Sequence, residues 1–304
     1  MNGTLLKNES LARHTSWRVG GPADRYYEPA GREDLANFVK ALPPHEPILW
    51  VGLGSNLLVR DGGWRGTVIC LHGALEELRR EGKEELGSRL RGNDDVVYAE
   101  AGVHCARLAK FTVGEKLAGG GFFAGIPGTV GGALAMNAGA HGGETWNVTD
   151  GVEVMFRDGH CEWLPKSRFK YGYRHVEWPV GMVGFIAARF TFARDADGTA
   201  EQDMKTWIAK RKATQPVGKP SAGSTFRNPP GDYAARLIEA SGLKGHRIGG
   251  AEVSKLHANF ILTDDTARAA DVEALIEHVQ RAVKDKQGVQ LETEVKIVGE
   301  RLDA

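Results

Sequence analysis

GIPGTVGGALAMNAGAHGGE, residues 125–144, carries glycine and alanine so densely that little side-chain volume is left for a core. Pro127 stiffens one turn, while the glycines permit positive φ and close approach of the backbone to a bound molecule. A loop with a purely structural purpose does not ordinarily give up so much packing, so the tract points to a large flat or elongated ligand. Upstream, Gly52-Leu53-Gly54-Ser55-Asn56-Leu57 follows directly on the apolar run Pro47–Val51. Its consecutive main-chain N–H groups are suited to wrapping an anion, and Ser55 and Asn56 add polar contacts. Leu57 stands where a dinucleotide fingerprint needs its third glycine, and no G-x-x-x-x-G-K-[ST] occurs. Alone, the shorter tract reads equally as a phosphate cradle or as a tight turn at a strand end. Two cradles together suit a ligand with a pyrophosphate and a nucleoside, for which FAD is the natural candidate. The residues expected to hold it are Gly52, Leu53, Gly54, Ser55, Asn56, Leu57, Gly125, Ile126, Pro127, Gly128, Thr129, Gly131 and Gly132.

The flanking pattern is one of short strands and helices. Leu35, Phe38, Val39 and Leu42 recur at helical spacing behind a polar start at 31–34. Thr67–Leu71 and Val96–Glu100 read as strands, and a helix is expected from about Cys105 to Leu117. Residues 151–195 read as antiparallel strands, at 152–156, 161–164 and 183–192, the first two joined by an Arg157-Asp158-Gly159 turn. Between 76 and 95 the chain is dense in both charge signs and poor in large apolar residues, the pattern of a solvated surface excursion. The polar stretch 193–200 reads as a domain boundary. Beyond it, Ala234, Leu237 and Ile238 mark a helix stopped by Gly242. A longer helix is expected over 271–285, with Asp271 at its start and Val272, Leu275, Ile276, Val279 and Val283 on one face. A closing strand is expected over 289–298.

Composition bounds the function. The chain has 304 residues, 41% hydrophobic and 26% charged, as in a soluble globular protein of two or three domains. Lys+Arg and Asp+Glu both number 39, which argues against a nucleic-acid binder driven by phosphate neutralisation. No run approaches a membrane span, and the first residues lack the apolar centre of a signal peptide. Three widely spaced cysteines, Cys70, Cys105 and Cys161, suit neither a disulfide framework nor a structural zinc site. A metal-free protein of the reducing cytoplasm is therefore expected, and a monomer.

Two peptides stand out as reactive. In SAGSTFRNP (221–229), Gly223 exposes Ser224, and Phe226, Arg227 and Asn228 offer stacking, charge and amide recognition. A Ser or Thr before Pro229-Pro230 also serves as an ordinary turn cap, and no G-x-S-x-G supports a hydrolase. In YGYR (171–174), Arg174 beside two tyrosines is suited to a planar anion such as a carboxylate, or is simply a surface Arg in a turn. Glu292 and Glu294 read first as the solvated face of an edge strand. These residues alone leave the chemistry open.

Taken in order, HTSWRVGGPAD (14–24), GLGSNLLV (52–59), the tract at 125–144, YGYR, PSAGSTFRNP (220–229), GLKGHRIGGAEVSKLHANF (242–260) and GVQLETEV (288–295) make the chain resemble the UDP-N-acetylenolpyruvoylglucosamine reductase family almost end to end. The resemblance implies an α+β architecture. It has a vanillyl-alcohol-oxidase-type FAD-binding fold of two α+β subdomains (1–72 and 73–198) and a separate α+β substrate-binding domain (199–288). The terminal segment 289–304 is expected to return to the first subdomain. With no long tyrosine-bearing insertion after residue 175, the shorter, type II form of the family is implied. The resemblance also implies non-covalent FAD, NADPH as co-substrate, and UDP-N-acetylglucosamine enolpyruvate as the molecule reduced, for peptidoglycan and cell-wall synthesis. Position by position, Ser224 matches the proton donor, and Arg174 and Glu294 match the pair at the enolpyruvyl carboxylate. Tyr173, Arg227 and Asn228 match substrate contacts.

Overall fold

The structure, a computed structural model, describes residues 2–82 and 95–302. They form two compact units: residues up to Leu5 with Tyr27–Gly52 and Ile69–Lys210, and Leu6–Tyr26 with Leu53–Val68 and the chain from Arg211 onward. The chain passes between them inside the strands Thr4–Ser10, Pro22–Glu28 and Trp64–Cys70, after Gly52, and within the helix Ala200–Thr214. The polar stretch 193–200 therefore precedes the last crossing. The Asp195 carboxylate accepts the N–H groups of Thr199 and Ala200, both at 3.2 Å, and so starts that helix.

The first unit holds a five-stranded antiparallel sheet in the order Cys161–Pro165, Thr149–Phe156, Met182–Phe192, Asp95–Glu100, Leu78–Glu81. Its three central strands carry Val, Phe and Ile, whose branched and aromatic side chains fit a pleated surface. Val152 lies opposite both Leu164 and Ala188, and Ala188 opposite Ala99, which fixes the register that turns Val97, Val152, Val154 and Phe190 into the core. The helices Cys105–Gly114 and Val130–Met136 cover this face through Leu108, Val130 and Leu134. A second core of the same unit gathers Tyr27, Leu35, Phe38, Val39, Ile69, Leu71 and Leu75 around the helix Arg32–Ala41.

Two expectations change here. The helix after Gly102 stops at Gly114, short of Leu117. The charged segment is not wholly solvated: Leu78–Glu81 is a paired strand, and Glu81, 4% exposed, is clasped by Arg189 (Nε to Oε2, 2.7 Å) and Arg79 (Nη2 to Oε1, 3.0 Å). Two guanidiniums make burial of one carboxylate tolerable, which charge density along a sequence does not reveal. The rest of that segment, residues 83–94, lies outside the described residues.

Asp34 ties the start of the chain to this unit. Its carboxylate accepts the Tyr27 hydroxyl, the Ala30 N–H (3.0 Å) and the Asn2 N–H (2.7 Å). Desolvation pushes its pKa upward, but the hydrogen bonds from Tyr27 and the backbone outweigh it and hold the group down at about 2. A carboxylate depressed in the folded state stabilises above its unfolded pKa of roughly 4, and that stability is lost as pH falls toward about 2. Asp34→Asn is expected to lower Tm by about 2–4 °C at neutral pH. The gap to the parent protein should close as the pH approaches 2 in a thermal-denaturation series; a gap independent of pH would remove the charge from the account.

The second unit is built on an antiparallel sheet of Arg247–Ile248, Ala251–Val253 and Ile261–Thr263 with the helices Ala234–Ala240 and Ala269–Gln287. The long helix buries Val272, Leu275, Ile276, Val279 and Val283, the face read from the sequence. Asp271 sits in its first turn and accepts the Arg268 N–H at 3.0 Å, closing a capping box. The closing strand is shorter than expected. Regular pairing is confined to Lys296–Val298, parallel to Leu57–Val59. Residues 289–295 run irregularly because their main-chain groups bond to the 225–227 peptide: Glu292 O accepts the Arg227 N–H at 2.9 Å, and Glu294 N–H donates to Thr225 O at 2.9 Å. The alternation survives in part, with Leu291 and Val295 buried and Glu292 and Lys296 exposed.

Candidate active site

In the first unit the two glycine tracts meet. A Cβ on Gly52 would stand 2.4 Å from the Thr129 hydroxyl, so only glycine allows the tracts this approach. Gly125 abuts Ala140 in the same way, at 2.5 Å, and Gly131 lies against Ala101 at 3.0 Å. Part of the glycine content thus serves close packing, which glycine density alone does not distinguish from ligand binding. Gly132 differs: it is exposed, and its nearest neighbour would be Thr129 Oγ1 at 3.8 Å, leaving open backbone for a ligand to approach. Pro127 is exposed beside it, and Gly128 and Gly131 are half-buried. In the second unit, Gly54 has φ +58° and a Cβ there would meet the His14 carbonyl at 2.0 Å. Ser16 N–H donates to Gly54 O at 3.2 Å, which fixes the turn that presents Ser55 and Asn56. The small-residue backbone of the first unit, open at Pro127 and Gly132, suits the elongated dinucleotide FAD.

Arg174 occupies the second position of a two-residue turn between the strands Lys170–Gly172 and His175–Glu177. Its φ is +55°, a left-handed conformation that a non-glycine residue adopts at a cost of about 1–2 kcal/mol. The guanidinium donates to Gly139 O at 3.0 Å and Asn137 O at 3.4 Å, and lies over the ring of Tyr173, 4.9 Å from its centroid. Tyr173 itself is exposed.

Asn137, which sequence reasoning did not single out, organises this corner. It is wholly buried and left-handed, with φ +43°. Its amide donates to Gly172 O (2.9 Å) and Glu144 Oε2 (3.0 Å), while its Oδ1 accepts the Trp146 N–H (3.0 Å). One side chain therefore ties the end of the small-residue tract to the hairpin that carries Arg174. The available signal was an amide in a run of Gly and Ala, where a polar group has no small-volume purpose.

The second unit ties Thr225, the neighbour of Ser224, to Glu294 through the main chain. Thr225 N–H donates to Asn259 O (2.8 Å), and Asn259 exchanges two side-chain bonds with Phe226, from Phe226 N–H (2.9 Å) and to Phe226 O (2.8 Å). Thr225 O in turn accepts the Glu294 N–H. Asn259, 3% exposed, is a second organising residue missed in the sequence. Gly223 (φ +66°) turns the chain so that Ser224 remains partly exposed while Thr225 and Phe226 are buried. Asn56 belongs to the same group: its amide donates to Glu294 O at 3.2 Å, and its carbonyl accepts Lys296 N–H at 3.0 Å. Arg227 lies 3.9 Å from Glu292. Asn228 Oδ1 accepts the Ala234 N–H at 3.1 Å, so this atom serves the start of the helix Ala234–Ala240. No helix among the described residues is long and apolar enough to cross a membrane.

Comparison with known proteins identifies both parts of the chain. Residues 23–165 match the family described as FAD binding domain, and residues 215–298 match the UDP-N-acetylenolpyruvoylglucosamine reductase C-terminal domain. The UDP-N-acetylenolpyruvoylglucosamine reductase of Methylococcus capsulatus is 52% identical over 98% of this chain and 94% of that protein. Its namesake from Coxiella burnetii is 50% identical over 98% and 97%. The crystal structure of UDP-N-acetylenolpyruvylglucosamine reductase (MurB) from Thermus caldophilus superposes with a TM-score of 0.77 at 32% identity, covering 98% of this chain and 99% of that one. The fold is accordingly α+β with an FAD-binding domain, and the chain belongs to the UDP-N-acetylenolpyruvoylglucosamine reductase family.

Proposed function

We infer that the protein is an FAD-dependent enzyme that reduces UDP-N-acetylglucosamine enolpyruvate to UDP-N-acetylmuramate with NADPH, a step of peptidoglycan synthesis in the cytoplasm. The observation that carries the reading is the main-chain bond from Glu294 N–H to Thr225 O, beside Ser224, in a chain 52% identical over 98% of its length to a UDP-N-acetylenolpyruvoylglucosamine reductase. The division of labour we propose gives FAD to residues 1–72 and 73–198 and the substrate to 199–288. The family matches support it, at 23–165 for FAD binding and at 215–298 for the reductase C-terminal domain, although the second unit's core also draws in Trp17, Val19 and Leu58.

Gly52–Leu57 and the backbone at 125–132 would hold FAD, which would supply the hydride-transfer chemistry between NADPH and the methylene carbon of the enolpyruvyl group. Negative charge then develops on the adjacent carbon and its carboxylate. Arg174 supplies a fixed cation for that charge, effective because its guanidinium is already oriented by Gly139 O and Asn137 O. Ser224 gives its hydroxyl proton to the carbon. A serine is a weak acid, but an enolate carbon is a strong base, so proximity and orientation suffice. Glu294 acts with Arg174 at the carboxylate, and Tyr173, Arg227 and Asn228 contact the substrate.

The test is an anaerobic visible spectrum of the purified protein, followed through NADPH and then the enolpyruvyl substrate. A flavin band that bleaches and then returns supports the reading. A band that bleaches without returning keeps a flavoenzyme and removes this substrate, and a protein that cannot be loaded with FAD overturns the whole assignment. Arg174→Lys is expected to slow the return by roughly tenfold or more, since a point charge replaces a planar fork. Unchanged turnover in that variant would take Arg174 out of the mechanism.

A further inference from the structure

His72, Glu76 and His104 stand apart from the residues assigned above, and their ligand atoms all lie within 4.8 Å of one another. Backbone geometry puts them there. Leu71 O accepts the N–H groups of Ala74 and Leu75, a single helical turn that sets His72 and Glu76, four residues apart, on one face. Gly102 N–H donates to Leu75 O at 2.9 Å, which draws the segment leading to His104 against that turn. Only glycine permits this, because a Cβ at position 102 would lie 2.2 Å from Leu71 O and 2.5 Å from Leu75 O. His104 is held in turn by the Cys105 N–H bond to Gly128 O and a bridge to Thr129.

The donors are prepared as ligands. Glu76 Oε1 is fixed by the Gly73 N–H (2.9 Å) and lies 2.8 Å from His72 Nδ1, and the two imidazoles approach edge to face with centroids 4.5 Å apart. The side chains of His72 and Glu76 are 40% and 34% exposed, so one side of the cluster faces water.

We propose that His72, Glu76 and His104 bind a divalent transition ion of the zinc or cobalt type, with water completing the coordination. Two imidazoles and one carboxylate form a borderline donor set that favours such ions over Mg²⁺ or Ca²⁺, which prefer oxygen throughout. Arg107, 3.9 Å from Glu76 Oε2, and the start of the helix Cys105–Gly114 both oppose a cation. The site is therefore a dissociable one that clips the 71–76 turn to the segment 102–104.

Zn²⁺ titrated into the flavin-loaded protein near neutral pH, by calorimetry and equilibrium dialysis, is expected to bind at one equivalent per chain and to raise Tm. Co²⁺ in the same place should give visible bands of a low-coordinate site. His104→Ala and Glu76→Gln should each weaken Zn²⁺ by more than the roughly 10–100-fold that loss of an outer-shell partner costs. His72→Gln, at an exposed position, tests the same point if His104→Ala fails to fold. No saturable binding would overturn the proposal. So would binding that survives these substitutions, or that is lost instead in His246→Ala, whose ring stacks on His278 at 4.3 Å.

Discussion

Ser224→Ala is expected to leave flavin reduction by NADPH within about twofold of the parent rate and to slow reoxidation by the enolpyruvyl substrate by ~10²–10⁴-fold, the usual contribution of a positioned proton donor. The asymmetry follows from what the residue does. Its main chain, not its hydroxyl, is set by the framework: Thr225 N–H on Asn259 O, Phe226 clasped by the Asn259 amide, and Glu294 N–H on Thr225 O. Deleting one oxygen leaves these bonds intact, so neither Glu294 nor the turn at Gly223 shifts. The loss falls on the proton transfer alone, and only the second half-reaction contains one to carbon. Anaerobic stopped-flow measurement of the two halves separates them. Equal slowing of both would show that the substitution disturbs flavin binding and would end the proton-donor role.

The sequence carried the architecture where side-chain volume and periodicity decide it. The helix Ala269–Gln287 was legible from its apolar stripe and from Asp271 at its start, and the three central strands of the five-stranded sheet from their Val, Phe and Ile content, whereas the edge strand Leu78–Glu81 was not. It failed where main-chain bonding partners come from afar. Residues 289–295 alternate like a strand, yet their carbonyl and amide groups are taken by the peptide at 225–227, which no local pattern announces. Glu81 reads as one more surface charge until Arg79 and Arg189 close on it. For the site, the motifs named Ser224, Arg174 and Glu294, but Asn137 and Asn259 are silent in sequence because their work is to satisfy backbone groups of other segments. The same holds for His72, Glu76 and His104, which are gathered only once Gly102 lets two turns touch.

Asn137 provides the sharpest test of how the scaffold reaches the chemistry. Asn137→Ala removes a buried amide that serves Gly172 O, Glu144 and the Trp146 N–H, and places alanine at φ +43°. Each group left unpaired costs about 1–3 kcal/mol, and the left-handed backbone about 1–2 more, so a loss on the order of 4 kcal/mol and roughly ten degrees of Tm is expected. Asn137→Gly removes the same hydrogen bonds while relieving the backbone strain, and should recover only the smaller share of that loss. Stability is half of the expectation. Gly172 lies directly before the Tyr173–Arg174 turn, and freeing its carbonyl loosens the hairpin that aims the guanidinium. Asn137→Gly, assayed where it is fully folded, should therefore still accept hydride from NADPH but pass it to the enolpyruvyl substrate about tenfold more slowly or worse, a shortfall of about one strong hydrogen bond. A purely structural role would lower Tm and spare that rate. In that outcome the main-chain carbonyls of Gly139 and residue 137 orient Arg174 without the Asn137 side chain, and the buried amide has no part in the reaction.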